Sequence, residues 1–250
     1  MPQQTSYKVL LIGDNCIDKY VYGDVKKLNP EAPVPVLNFN RVEIRKGMCW
    51  NVFNNLDALG IEVDMVTHEE EIVKTRYIDE KSNQQILRLD EESSIKSLCC
   101  DDIPNEKYDA IVISDYDKGF VSFESLCSIV YSSKCPVFID SKKQNLPKNN
   151  CFIKINELEY QNLKEKCDNI IVTLGKNGAK YKNKTYKTKK IETRDIIGAG
   201  DTFLSALVYG YLKHGTIETA IPIANLAAGI AVSHSGTYVL TEEDVKNLCH

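Results

Sequence analysis

The chain has 250 residues, of which 43% are hydrophobic and 26% charged, and a formal net charge of −4. That is enough chain to bury a real core in one large α/β domain or two small ones, and the composition excludes a disordered or fibrous protein. The weakly acidic balance argues against nucleic acid as the main partner, and no run approaches the ~20 apolar residues of a membrane span. Pro2 to Ser6 is polar and carries no leader-like apolar stretch, so a cytoplasmic location is expected. The nine cysteines are scattered without a C-x-x-C pair, Cys100 and Cys249 among them, and the four histidines, His250 included, have no metal-ligand spacing. Reduced thiols, rather than a disulfide framework or a zinc site, follow from that pattern.

In chain order, Tyr7 to Ile12 reads as a buried strand that ends in Gly13-Asp14 and presents a carboxylate at its C-terminal end, the end where ligands gather in open parallel sheets. Pro30, Pro33 and Pro35 interrupt residues 20 to 45, where Val34, Val36, Leu37 and Phe39 suggest edge strands of a small β excursion. Residues 47 to 59 turn helical and stop at Gly60, a C-terminal cap, and Ile61 to Val66 is a second strand. Residues 73 to 90 return to β-like text and are expected to pair with the first excursion. Strands follow at Ala110–Ser114, Val137–Asp140, Phe152–Ile155 and Ile170–Leu174, with helices between most of them. Lys180, Lys182, Lys184, Lys187, Lys189 and Lys190 alternate with Tyr181, Thr185 and Tyr186, which predicts an exposed hairpin turning near Asn183-Lys184. Two helices rich in Ala, Leu and Ile close the chain at about 199–213 and 217–234. This alternation predicts an α/β fold with a doubly wound, mostly parallel sheet flanked by helices, a single domain over 1–250 carrying a small β lid from about 18–45 and 73–90.

The chemistry concentrates in Asp195-Ile196-Ile197-Gly198-Ala199-Gly200-Asp201, a Gly-rich turn that runs straight into the first of those helices. Glycines let the backbone approach a ligand, and the free amides of a helix start favour an anion. A carboxylate beside a bound phosphate is repelled unless it has a task, and accepting the proton of an attacking hydroxyl is such a task. The turn therefore points to phosphoryl transfer to an alcohol, with Asp201 as base; a solvated first-turn carboxylate is the other reading of the same residues.

Further motifs fall into one order: Gly13-Asp14, then Asn29-Pro30-Glu31-Ala32-Pro33-Val34-Pro35-Val36, then Gly47-Met48-Cys49-Trp50-Asn51. They continue with Asn83-Gln84-Gln85-Ile86-Leu87-Arg88-Leu89-Asp90, Ser114-Asp115-Tyr116-Asp117-Lys118-Gly119, Ile139-Asp140-Ser141-Lys142, Asn156-Glu157-Leu158-Glu159 and Val172-Thr173-Leu174-Gly175. With them the chain resembles, over nearly its whole length, the ribokinase-like (PfkB) family of sugar kinases, and within it the branch that phosphorylates heptose 7-phosphate at its anomeric hydroxyl. The resemblance implies transfer from ATP, with Mg²⁺, to a small sugar phosphate, serving the synthesis of nucleotide-activated heptose. Its alternatives are a kinase of the same fold for another sugar, sugar phosphate or nucleoside, and a catalytically reduced sugar- or nucleotide-binding protein. It implies that Asp201 is the base and that the amides of Gly198, Ala199 and Gly200 hold the migrating phosphoryl group. Asn156, Glu157, Leu158 and Glu159 match the motif that organises the nucleotide phosphates, Asn156 and Glu159 touching the metal indirectly. Thr173, Gly175 and Asn225 fall where the nucleotide sits; Asp14, Gly47 and Asn51 fall where the sugar is bound, and Arg88 and Lys142 where phosphates are met. Apart from the resemblance, the strand edges expected in the lid suggest a homodimer through it, since exposed edges invite pairing.

Each of several of these residues also has a plainer reading. Asp14, Asp115 and Asp140 suit turns after strands, Asn156 and Glu159 suit a helix capping box, Asn225 a bond to a neighbouring backbone, and Arg88 a surface ion pair with Asp90. The chain also departs from the family pattern. Met48 stands where the family has a second glycine, Cys49 and Trp50 replace small residues, and Ile196 replaces a threonine. A βα segment is missing between Val66 and Lys74, the interval from Glu159 to Ile170 is trimmed, and no nucleotidyltransferase domain is expected in the chain.

Overall fold

The apolar run Lys8–Gly13 forms β1, an interior strand of an eight-stranded sheet, and its residues Val9 to Ile12 are fully buried. The computed structural model describes residues 7–99, 102–189 and 191–248. Pro2 to Ser6, Cys100, Lys190, Cys249 and His250, named above, lie outside them. After β1 come β2 (Asn15–Leu28), β3 (Pro35–Met48), β4 (Glu62–Val66), β5 (Ile72–Asp79), β6 (Gln84–Glu92), β7 (Ala110–Asp115) and β8 (Val137–Ser141). The chain continues through β9 (Phe152–Asn156), β10 (Ile170–Thr173), β11 (Ala179–Tyr181) and β12 (Lys184–Tyr186). The helices are α1 (Cys49–Ala58), α2 (Phe123–Ser132), α3 (Glu157–Asn162), α4 (Ala199–His214), α5 (Ile217–Val232) and α6 (Glu242–Leu248).

The large sheet has the order β12-β11-β10-β9-β8-β7-β1-β4. The pairs from β4 to β10 are parallel, and β11 and β12 add an antiparallel hairpin at one edge, as the alternating Lys and Tyr text predicts. Val9 and Leu11 join the core made with α1, α4 and α5, while the equally buried Leu10 and Ile12 stand on the other face, the alternation of a strand covered on both sides. Fewer helices join the strands than the sequence rhythm suggests. None connects β8 to β9, where the polar stretch Lys142 to Asn150 has no apolar repeat, and α3 is only six residues long.

The chain divides into two compact units, the smaller made of Asn15–Gly47 and Glu69–Ile95. It is a four-stranded sheet of order β3-β2-β5-β6, with β2 parallel to β5, so the two excursions do pair. It extends beyond 18–45 and 73–90 because β2 starts directly after Asp14, with no turn residue to mark the change, and β3 runs on through Gly47 into Met48. Helix α1 accordingly begins at Cys49 rather than at 47. Phe39, Val42, Ile44, Leu87 and Leu89 of this smaller unit are exposed. Among the described residues no helix is long and apolar enough to cross a membrane.

Candidate active site

Successive parallel strands of the large sheet each deliver a polar residue at the carboxyl end, where such sheets bind ligands. Asp14 follows β1, Asp115 ends β7 with Tyr116 next, Lys142 follows β8, Asn156 ends β9, and Thr173 ends β10. The 195–201 turn comes up to this edge and opens α4. Gly198 has φ 78°, the left-handed conformation a glycine adopts without strain. Gly200 lies in the first helical turn, whose N–H groups have no acceptor within the helix. The Ala199 N–H instead turns back to the Ile196 carbonyl at 3.3 Å, a long bond for which a phosphoryl oxygen would compete.

Asp201, next in that first turn, is 4% exposed. Asn51, from the first turn of α1, donates through Nδ2 to its Oδ2 at 3.1 Å, and the Tyr116 hydroxyl donates to Oδ1 at 2.9 Å and Oδ2 at 3.2 Å. Burial first, and then the negative Asp140, push its carboxyl up to about 6; the Lys154 ammonium and the bonds from Asn51 and Tyr116 oppose that rise. A carboxyl so placed changes charge just below neutral pH, the range a general base needs.

Lys154 lies directly opposite Asp140 in the register of β8 and β9, and its Nζ is 2.5 Å from Asp140 Oδ2. Burial alone would lower the lysine's pKa, but Asp140 and Asp201 outweigh burial, so it stands raised and the ammonium is kept. A Cβ added to Gly200 would come within 2.8 Å of this Nζ. The glycine thus lets the turn settle onto a buried cation, so lysine and helix start both supply positive charge at one place. Lys154, Asp140, Tyr116, Lys142, Asn156, Glu159, Gly198, Gly200 and Asp201 line one cleft of about 200 Å³. The same turn also borders a cavity of about 690 Å³, lined by Ala199, Gly200, Phe203, Thr173, Gly175, Asn225, Ala228, Gly229 and Val232.

Most candidate residues therefore meet around one turn. Asn156 and Glu159 form the capping box of α3, Asn156 Oδ1 accepting from Glu159 N at 2.9 Å and Glu159 Oε2 accepting from Asn156 N at 2.8 Å, and both still line the cleft. Lys142 Nζ lies 4.5 Å from the centre of the Tyr116 ring. Asn225 is buried and donates to the Tyr186 carbonyl at 2.8 Å, which holds the wall of the larger cavity. Other candidates stand apart. Asp14 has no exposed surface; its Oδ2 accepts from Tyr116 N at 2.7 Å and Lys118 N at 3.3 Å, so it braces the loop after β7. Glu157 lines a different cavity, with Tyr160 and Lys180, and Leu158 is an exposed side chain. Arg88 belongs to the smaller unit and forks onto Asp90 at 2.7 and 2.6 Å. Gly47 belongs there too, and a Cβ on it would collide with the Asp18 carboxylate, so that carboxylate takes up the space the glycine frees. Trp50 packs edge-on against Phe53, with ring centres 5.2 Å apart, and lines neither of the two cavities.

Sequence reasoning assigned no task to Lys154, Asp140 or Tyr116 in this cleft. A signal existed for the lysine: it interrupts the apolar strand Phe152-Ile153-Lys154-Ile155, where a charge survives only if paired. Among the described residues no group of three or more His, Cys, Asp or Glu is set to hold a metal. The site nonetheless fits Mg²⁺ carried by phosphates and water, the usual mode for that ion, because the capping box leaves Glu159 Oε1 unused beside the cleft.

Residues 155–244 match the model of the pfkB family carbohydrate kinases. The bifunctional protein HldE of Nitratiruptor sp. is 31% identical over 296 positions, which take in 96% of this chain but 64% of that protein. The matched span exceeds the 250 residues present here, so the relative carries internal segments this chain lacks. Ribokinase from Thermotoga maritima superposes with a TM-score of 0.72 at 16% identity, covering 97% of this chain and 99% of its own. Ribokinase from Cryptococcus neoformans, solved with ADP, gives 0.71 at 15% identity, covering 97% and 99%. The turn at 198–201, the strand-end residues around it and these likenesses agree: residues 155–244 are pfkB-family carbohydrate kinase in sequence, and the chain has the fold of the two ribokinases.

Proposed function

We propose that the chain is an Mg²⁺- and ATP-dependent sugar kinase of the cytoplasm, transferring the γ-phosphoryl group of ATP to the anomeric hydroxyl of a heptose 7-phosphate and forming the 1,7-bisphosphate. One observation carries the reading. A buried carboxylate, Asp201, faces a charged cleft from the first turn of a helix, and a cavity of nucleotide size borders the same turn. The heptose assignment rests on the three sequence stretches around Pro33, Arg88 and Tyr116.

In this reading the adenosine end of ATP enters the larger cavity, past Thr173, Gly175 and Asn225, and its γ-phosphate meets the amides of Gly198, Ala199 and Gly200. As the acceptor oxygen bonds to the γ-phosphorus, its proton passes to an Asp201 oxygen. The bond from that phosphorus to the bridging oxygen of ADP breaks, and ADP leaves with the electron pair. Lys154 and the helix start offset the charge carried by the transferring group, the contribution that dominates such transfers. Mg²⁺, when bound, neutralises phosphate charge; Asn156 and Glu159 would hold it, through its waters. Lys142 lines the acceptor's side of the cleft. The exposed apolar residues of the smaller sheet support pairing of two copies through it.

The test is release of ADP from ATP and Mg²⁺ across a panel of sugars, sugar phosphates and nucleosides that includes heptose 7-phosphate. The expected result is transfer to heptose 7-phosphate, lowered at least ~1,000-fold in Asp201→Asn, with ATP affinity changed less than about threefold. Transfer to a different acceptor replaces the substrate and keeps the chemistry. Absence of transfer to every acceptor, or full turnover in Asp201→Asn, rejects the reading.

A further inference from the structure

Tyr116 lies outside any helix or strand, yet its hydroxyl reaches both carboxylate oxygens of Asp201, at 2.9 and 3.2 Å. The transfer step described above gives it no task. Its place is set from two further directions. The wholly buried Asp14 accepts its backbone N–H at 2.7 Å, and the Lys142 ammonium stands 4.5 Å from its ring centre. Asn51 meanwhile donates to Oδ2 of the same carboxylate at 3.1 Å. Two donors fixed on separate elements define a plane, whereas one would leave the group free to turn.

We infer that Tyr116 is a positioning residue for the transfer step: its phenol and the Asn51 amide clamp the plane of the Asp201 carboxylate and leave a lone pair directed at the cleft. The inference rests on the kinase reading for its consequence, not for its geometry. Asp14 then acts at one remove, by holding the loop that carries the phenol. A hydrogen bond donated to a carboxylate favours its ionised form, the form that accepts a proton. The charged groups facing Asp201 are Asp140 and Lys154 from β8 and β9, with Lys142, Glu159 and Asp115 around the same cleft. Asp140 opposes ionisation and Lys154 favours it, so the phenol adds a neutral donor that tips the group without adding charge.

Tyr116→Phe keeps the ring against Lys142 and removes only the hydroxyl. The measurements are the kcat/KM–pH profile and the carboxyl ¹³C titration of Asp201, in parent and variant. Both the acid limb and the titration should move upward by about one pH unit. At pH 6 kcat should fall ~5-fold, KM for the acceptor should change less than twofold, and the loss should recover at higher pH. A merely structural role would lower kcat by one factor at every pH and leave both midpoints in place; that result overturns the inference. Should the parent transfer phosphoryl to no acceptor, the kinase reading fails, and the carboxyl titration still decides whether the phenol governs Asp201.

Discussion

The two cavities that share the 198–201 turn are built on opposite plans. The larger, about 690 Å³, has walls of Ala228, Gly229, Val232, Phe203 and Ile191, and among the described residues its charged lining is Lys176 and Lys189. The smaller, about 200 Å³, is charged at six of its ten lining residues: Asp115, Asp140, Lys142, Lys154, Glu159 and Asp201. On the proposed function the first would recognise by shape and burial and the second act by charge, with Lys154 and Asp201 buried, where a charge acts more strongly than in water. Substitutions in the first should therefore be felt in nucleotide affinity, and substitutions in the second in turnover.

The sharpest way to break that division is Lys154. Lys154→Met should lower kcat by ~100-fold while ATP affinity changes less than about fivefold. The single variant leaves Asp140, whose side chain is 18% exposed, without its partner, which costs less than the about 3–5 kcal/mol of a fully buried pair. The double variant Asp140→Asn/Lys154→Met should recover the melting temperature without recovering turnover, as calorimetry and ADP release on the same samples would show. A smaller effect is expected from Ala228→Leu, which fills the apolar cavity: KM for ATP should rise ~10-fold with kcat within about twofold. A fall in kcat alone would mean that the two cavities are not separable.

The smallest effect bears on stability. In the fold the Asp201 carboxyl is pushed up to about 6, by burial first and Asp140 second, whereas an unfolded aspartate titrates near ~3.9. The folded chain thus binds this proton more tightly, so stability falls as pH rises from about 4 to about 6, and above that range the ionised group weighs against the fold. Asp201→Asn should therefore melt a few degrees above the parent at pH 7, by ~2 kcal/mol, with the gap closing below about pH 4. An equal gap at both pH values contradicts this account. On this account the charged cleft differs from the apolar cavity in a second respect, since Asp201, its proposed base, makes the fold less stable.

How far each region was legible in the sequence follows from the same division. Strands β1, β7, β8, β9 and β10 are apolar runs closed by polar residues, and both the runs and their closing residues could be read directly. The final helices were legible because their Ala, Leu and Ile repeat along one face and Gly198 and Gly215 mark their limits. The pairing of Lys154 with Asp140 was not, because it depends on β8 and β9 lying side by side, which no local pattern states. The same holds for Tyr116 and Asn51, which come to Asp201 from 85 and 150 residues away. Glu157 and Leu158 were assigned from the same four-residue motif as Asn156 and Glu159, but only the latter two line the cleft, because adjacent residues of a helix start point in different directions. The limits of the smaller unit were blurred because β2 and β3 mix polar and partly buried residues along 14 positions each.

Met48 has φ 55° and ψ −124°, a backbone conformation that glycine reaches freely and a side chain only under strain, of order 1–3 kcal/mol. It is also 3% exposed, so its thioether arm is packed away inside the protein. The position thus faces two incompatible demands: the main chain asks for no side chain, and the surrounding space asks for a long one. Glycine would relax the first and open a void, while leucine or isoleucine would satisfy the second and keep the distortion. With Asn51 only three residues downstream, the entry to α1 is held by the rest of the molecule rather than by its own local preference.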